Sequence, residues 1–380
     1  MKTAFQSEDY VLRWPLDLFR SRLSELINDH LRSRDDGPGS WSDQVELLLD
    51  DAFESGQPLD AFRAAHSKLN YGSWGANPST NDPPGRRFLI DLLRGADLLP
   101  QEVRRRPYRS QRGQSSSTGS ASISTSTLVT RFINLVDNLQ ERGYFERSFG
   151  KDCVDDPAGI DPAALIDEEI GVSDAWPLSV DRLVADQELF LDLIEVLGEF
   201  VAAPRGRWFH SFGDCGWHHR EFNLEQGRDL YFWLINRLLV RTPLALQIAT
   251  SGEDRGRLIE VHGDARNDLV TKTLEAASGS VHDPVQHAVA LFRRRGASVE
   301  EKRSACVALA GVLESRRALI RENLLRRDEG ALFQIANEFN IRHRAESQKA
   351  EYDPVFLDWI FWWYLGTIEL TERVLARQNN

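Results

Sequence analysis

Residues 353–378 read DPVFLDWIFWWYLGTIELTERVLARQ. Asp353 supplies an N-cap and Pro354 takes the first helical position, where a missing N–H costs nothing. The helix so started runs to about Gln378, and its first half is apolar on nearly every face. Such a helix must be covered all round, so it lies at the centre of a helical core or turns one face to a second copy of the chain. Trp359, Trp362 and Trp363 are the natural material of a homodimer interface.

The pattern stays helical back to about Asp268. Residues 299–326 predict one long helix with a seam of Val299, Cys306, Leu309, Leu313, Ile320 and Leu324, close to a three-and-four spacing. A shorter helix is expected over 330–341. Between 244 and 261, LALQIATSGEDRGRLIEV sets two short β-prone runs around a turn-rich centre, which predicts a hairpin and the one clear piece of β structure. Helical spacing returns at 179–202, through Leu183, Phe190, Leu193, Ile194, Leu197 and Phe200, and at 128–142.

Nearer the start, helices are expected over 15–33, over 42–54 with Ser42 as cap, and in two pieces around Gly95 and Pro100. The Gly-, Pro- and Asn-dense loop 70–85 separates them. The expected fold is therefore mainly α. It divides into an N-terminal helical region (1–106), a flexible Ser-rich linker (107–127), a central helical region holding the hairpin (128–265) and a C-terminal four-helix module (266–380).

At 380 residues, 41% hydrophobic and 27% charged, the chain has the make-up of an ordinary globular protein of two or three domains. A formal charge of −12 argues against indiscriminate coating of nucleic acid. The charge is uneven: residues 281–350 carry +4 and the remainder −16. Arg104, Arg105 and Arg106 begin a second local basic patch, readable as an arm for RNA or an acidic partner, or as a solvated loop beside a helix end. The block WIFWWYL at 359–365 is far shorter than the roughly 18 residues of a membrane span, so no membrane partner is expected. No apolar leader opens the chain and its three cysteines show no paired spacing, which leads to the expectation of a cytoplasmic, reducing location.

The segment HSFGDCGWHH, residues 210–219, gathers three of the nine histidines and one of the three cysteines. Three readings compete. As a metal site, His210, Cys215 and His218 are acceptable zinc ligands, with Asp214 or His262 available as a fourth. Adjacent His218 and His219 point to opposite faces if the backbone is extended, so both ligate only from an irregular loop. As a nucleophile site, Cys215 would need an imidazole and an orienting acid, Asp214 or Glu221. As a packed junction, Gly213 and Gly216 permit a turn while Trp208, Phe209, Phe212 and Trp217 supply bulk. The residues favour the junction, and no cofactor is expected beyond zinc in the alternative.

DEGALFQIANEFNIRHR, followed by YDPVFLDWIFWWYLGTIELTERVL, resembles the C-terminal helical module of bacterial abortive-infection proteins, whose helices are arranged as in the HEPN family. The resemblance covers roughly residues 268–380, and CGWHHREFNLEQGRDLY is similar to a segment found in some of the same proteins. It implies an RNA-cleaving or RNA-binding protein of phage defence or stress response, with an Arg stabilising phosphate charge and a His moving a proton. HEPN nucleases space that Arg and His by four to six residues. Here Arg342 and His343 are adjacent, so the catalytic assignment to this pair, with Arg344 as a phosphate contact, departs from the family pattern. Phosphate loops, nucleophile elbows and His-Glu-x-x-His zinc motifs are absent. The expected function is HEPN-like defence, with a non-catalytic dimeric interaction or sensor protein as the alternative and a metal-dependent hydrolase using His210, Cys215 and His218 as the third.

Overall fold

The computed structural model describes residues 4–30, 40–67, 83–100, 123–154, 160–240, 242–277, 279–323, 329–334 and 353–378. The described chain is mainly helical, with two small antiparallel hairpins, and divides into two compact units, Met1–Thr242 and Pro243–Asn380. No described helix is long and apolar enough to cross a membrane.

The first unit begins with α1 (Leu16–Asp29), α2 (Trp41–Ala52), α3 (Gln57–His66) and α4 (Pro84–Arg94). Their apolar stripes converge on a core of Phe19, Leu23, Leu26, Val45, Leu49, Phe53, Phe62, Leu89 and Leu92, all buried. Helix α2 starts two residues earlier than a cap at Ser42 would set it. Ser40 is the cap, accepting from the Asp43 N–H at 3.3 Å, and this frees Trp41 to donate its indole N–H to the Leu26 carbonyl at 2.7 Å.

A further set follows: α5 (Thr125–Glu141), α6 (Glu146–Phe149), α7 (Pro162–Ile170), α8 (Val180–Ala185), α9 (Gln187–Phe200) and α10 (Leu224–Leu239). The helical stretch expected over 179–202 is broken at Asp186, whose carboxylate caps α9 by accepting from the Leu189 N–H at 3.0 Å. Phe132 of α5 meets Phe190 of α9 edge-on at 5.4 Å, and the buried Tyr231 hydroxyl of α10 donates to the Ile194 carbonyl at 2.8 Å.

Between α9 and α10 lies a hairpin that overturns the expectation of a single piece of β structure. Strands β1 (Ala203–His210) and β2 (Gly216–Asn223) pair antiparallel, with Trp208 opposite His218 and Phe209 opposite Trp217. The segment 210–219 is therefore the end of one strand, a turn and the start of the next. Period-two alternation assigns Trp208, His210 and His218 to one face and Arg207, Phe209, Trp217 and His219 to the other.

The expected hairpin near 244–261 is present as β3 (Leu246–Ile248) and β4 (Leu258–Glu260), which open the second unit. Helices α11 (Asp264–Ala276), α12 (His282–Arg293), α13 (Val299–Ser315), α14 (Arg317–Asn323), α15 (329–334) and α16 (Val355–Gln378) follow. α16 packs against α11 and α13, and α12 against α13. The single helix expected over 299–326 breaks at Arg316, where the backbone leaves helical geometry (φ −101°, ψ 10°) and the guanidinium turns to Thr371 and Glu372 of α16.

Asp353 caps α16 as expected, accepting from the Val355 N–H at 2.9 Å. The burial along this helix corrects the interface expectation in part. Trp362 belongs to the core, edge-on to Phe292 and to Phe361, whereas Trp359 stays exposed and Trp363 half-buried. Phe292 and Phe361 stack face to face at 3.7 Å in the middle of that core.

Candidate metal centre

The hairpin β1–β2 is fastened to its unit by charge pairs on the Arg207 face and near its base. Arg205 pairs with Glu25 at 2.7 Å, and Arg207 with Asp50 at 2.8 Å while lying over the Trp217 ring. Beside them Asp51 accepts from Arg142 at 2.6 Å and from the Tyr144 hydroxyl at 2.5 Å. Burial, reinforced by the Asp51 carboxylate, pushes the Tyr144 phenol well above its ordinary range, so it remains a donor.

His219 points to this same side. Its Nδ1 meets Glu146 Oε2 at 2.7 Å and its backbone N–H donates to Oε1 at 2.8 Å, so one carboxylate holds both the ring and the strand. The fit leaves no room at Gly143. A Cβ there would lie 2.2 Å from His219 Nδ1, and the residue's φ of +80° is one that side chains avoid.

His218 points the opposite way, toward Cys153, His210 and Cys215. One ligand atom from each of these four residues lies within 4.8 Å of the others. The Cys153 Sγ to His210 Nδ1 separation is 3.3 Å. The edges of a zinc tetrahedron with bonds of 2.0–2.3 Å are about 3.3–3.8 Å, so the set is within a small adjustment of closing on one ion.

Each ligand has a positional cause. His210 ends β1 and His218 lies one step along β2 on the same face, so cross-strand pairing sets their rings 6.0 Å apart. Cys215 closes the turn between the strands, where Gly213 takes φ +62°. Cys153 arrives from outside the hairpin, on the irregular stretch after α6, and its neighbour Val154 would be 3.0 Å from any Cβ at Gly213. The Lys151 ammonium donates to the Trp217 carbonyl and anchors that stretch to β2.

The cluster contains a buried nitrogen with no partner. Nε2 of His218 makes no hydrogen bond although the residue is only 6% exposed. An unpaired buried polar atom costs free energy, and a metal bond is one way to satisfy a ring nitrogen. Burial first, and the Lys151 cation second, push the His218 imidazole below its ordinary value, toward the neutral form that ligates. Trp208 stacks on the His218 ring at 4.6 Å and 15° and fixes its plane.

Sequence reasoning placed His210, Cys215 and His218 together and missed Cys153. The one signal was that Cys153 is a further cysteine outside the predicted helices. His262, considered as a fourth ligand, belongs to the second unit and packs against Phe292 and Trp362; the side chain of Asp214 lies outside the described set. Glu221, considered as an orienting acid for Cys215, is exposed. Arg104, Arg105, Arg106, Arg342, His343 and Arg344, the candidates for RNA contact and cleavage, lie outside the described residues.

No protein-family model, no curated protein and no solved structure matches this chain.

Proposed function

We infer that the chain is a non-catalytic zinc-binding protein in which one ion, held by Cys153, His210, Cys215 and His218, locks the hairpin β1–β2 to the segment after α6. The observation that carries this is the ligand count: two sulfurs and two imidazole nitrogens converge within 4.8 Å. Four protein ligands fill a tetrahedral zinc ion, whereas a hydrolytic zinc keeps one position for water. A closed site supports a structural role and weighs against the hydrolase reading of the same cluster.

The locked hairpin ends in exposed aromatic side chains, Phe209, Phe212 and Trp217, with Phe212 68% exposed. Burying such side chains is what stabilises most protein associations, which favours an interaction protein over an enzyme. HEPN-like RNA contact through Arg342, His343 and Arg344 remains the competing proposal and rests on the resemblance alone.

The test is elemental analysis of the purified chain together with incubation against a mixed RNA pool. The expected result is one zinc per chain and no cleavage. Metal-free protein that takes up no zinc overturns the proposal. RNA cleavage that disappears in His343→Ala replaces it with the HEPN-like one.

A further inference from the structure

Two features of the cluster go beyond holding an ion. Its two sulfurs come from independent segments, one on an irregular stretch and one in the turn before β2, and as residues both Cys153 and Cys215 are half-buried. The third cysteine, Cys306, is fully buried in the other unit, its Sγ 3.6 Å from the Leu357 carbonyl. The chain thus carries a pair of partly exposed cysteines side by side and a single one sealed in a core.

We propose that the Cys153–Cys215 pair is a peroxide-reactive dithiol whose oxidation to a disulfide releases the zinc ion. This rests on the zinc site inferred above and assigns its regulation. A metal-bound thiolate attacks hydrogen peroxide: a sulfur–oxygen bond forms, the peroxide O–O bond breaks, and with one proton taken up the products are a sulfenic acid and water. The second thiolate, within 4.8 Å, then attacks the sulfenic sulfur. The S–S bond forms and the sulfenic oxygen departs with a second proton as water.

In sum, two thiolates, one peroxide and two protons give one disulfide and two waters, and the sulfurs lose two electrons to the peroxide. Bonding the sulfurs at about 2.05 Å requires an approach of at most about 3 Å, which the irregular stretch at 151–153 can supply without breaking a helix or a strand. Proximity of the second thiolate also diverts the sulfenic acid from further oxidation.

The consequence is specific to this topology. The disulfide joins the same two segments that the ion joins, so the hairpin stays tied to the stretch after α6. What changes is the other half of the site: His210 and His218 lose their ion, and a pair of imidazoles alone holds zinc weakly. A dithiol reductant reverses the step by thiol–disulfide exchange, and zinc rebinds.

The experiment uses the zinc-loaded 380-residue chain, treated with hydrogen peroxide in the presence of a chromogenic zinc indicator, with thiols counted and the cross-link mapped by mass spectrometry. One zinc is expected to leave for every two thiols lost, with Cys153 linked to Cys215, Cys306 retained as a thiol, and zinc uptake restored by dithiothreitol. Cys153→His keeps four ligands and removes the second sulfur. It is expected to bind zinc and to form no intramolecular disulfide. Stoichiometric zinc that stays bound with all thiols intact overturns this proposal while leaving the zinc site standing, as does release accompanied by sulfinic acid in place of the disulfide. A chain that never takes up zinc removes both.

Discussion

Cys153 Sγ lies 3.3 Å from His210 Nδ1, although 57 residues separate them in the chain. The contact joins a segment that follows a short helix to the end of a strand, and it makes Cys153 as much a part of the cluster as the three candidates inside residues 210–219. Cys153→Ser is therefore expected to lower zinc affinity at least 100-fold, matching Cys215→Ser. Competition titration against a chelator measures both. Equal affinities in Cys153→Ser and wild type would remove Cys153 from the site.

Zinc is expected to stabilise the first unit. A ligand present at about 1,000 times its dissociation constant adds about 4 kcal/mol to a state that alone binds it. Thermal unfolding with and without chelator should show an earlier transition for the metal-free chain, and the difference should vanish in a His210→Ala, His218→Ala double variant.

Gly143→Ala tests the clamp behind the site. A Cβ at this position collides with the His219 ring, which Glu146 holds in place, while Gly171, with φ +74°, has open space around it. Gly171→Ala carries the backbone penalty alone, about 1 kcal/mol. Gly143→Ala is expected to cost about 3 kcal/mol because the steric clash is added. Denaturant midpoints of the two variants compare them directly, and equal losses would show that the clash is relieved without disturbing His219.

In the second unit, Arg316 pairs with Glu372, with both side chains at most 10% exposed, and also bonds Thr371 at 2.6 Å. Glu372→Ala leaves a guanidinium buried against an apolar core. A loss of about 3 kcal/mol is expected, well beyond the effect of removing an exposed ion pair. Equilibrium unfolding of the full chain reads it.

His262 gives this unit a pH dependence. Burial first pushes its imidazole below the ordinary value; Arg293 and Lys302 act in the same direction, and Glu260 and Asp358 oppose them. Below about pH 6.5 the unfolded chain takes a proton that the folded imidazole refuses, so this contribution to stability is whole above that pH. It is lost as the pH falls toward the folded value. His262→Gln should flatten the slope of stability against pH between about 5 and 7 relative to wild type. An unchanged slope would show that other groups set it.

Cys306 serves as the internal standard for thiol chemistry. Burial, with the Asp358 charge second, pushes its thiol up to about 12. At pH 8 roughly one thiol in ten thousand is then ionised, so a metal-free native chain should alkylate at Cys153 and Cys215 only, and at Cys306 after unfolding.

The amino-acid sequence by itself determined what depends on neighbours in the chain. Helical periodicity marked most of the helices, Asp353 announced the start of α16, and TSGEDRG announced β3–β4, because caps, apolar stripes and turns are written within a few residues. Where capping was ambiguous, packing chose: Ser40 over Ser42 so that Trp41 could reach Leu26. The hairpin β1–β2 escaped notice because its faces do not alternate apolar with polar. One face carries Arg207 and His219 to carboxylates and the other carries His210 and His218 to the cluster, so the strand signal is overwritten by the site itself. Only tertiary structure decided that Cys153 completes the set and that Trp362 is core while Trp359 is surface. Proximity between segments distant in sequence, and the side of a helix that its neighbours cover, are properties of packing, and no local pattern encodes them.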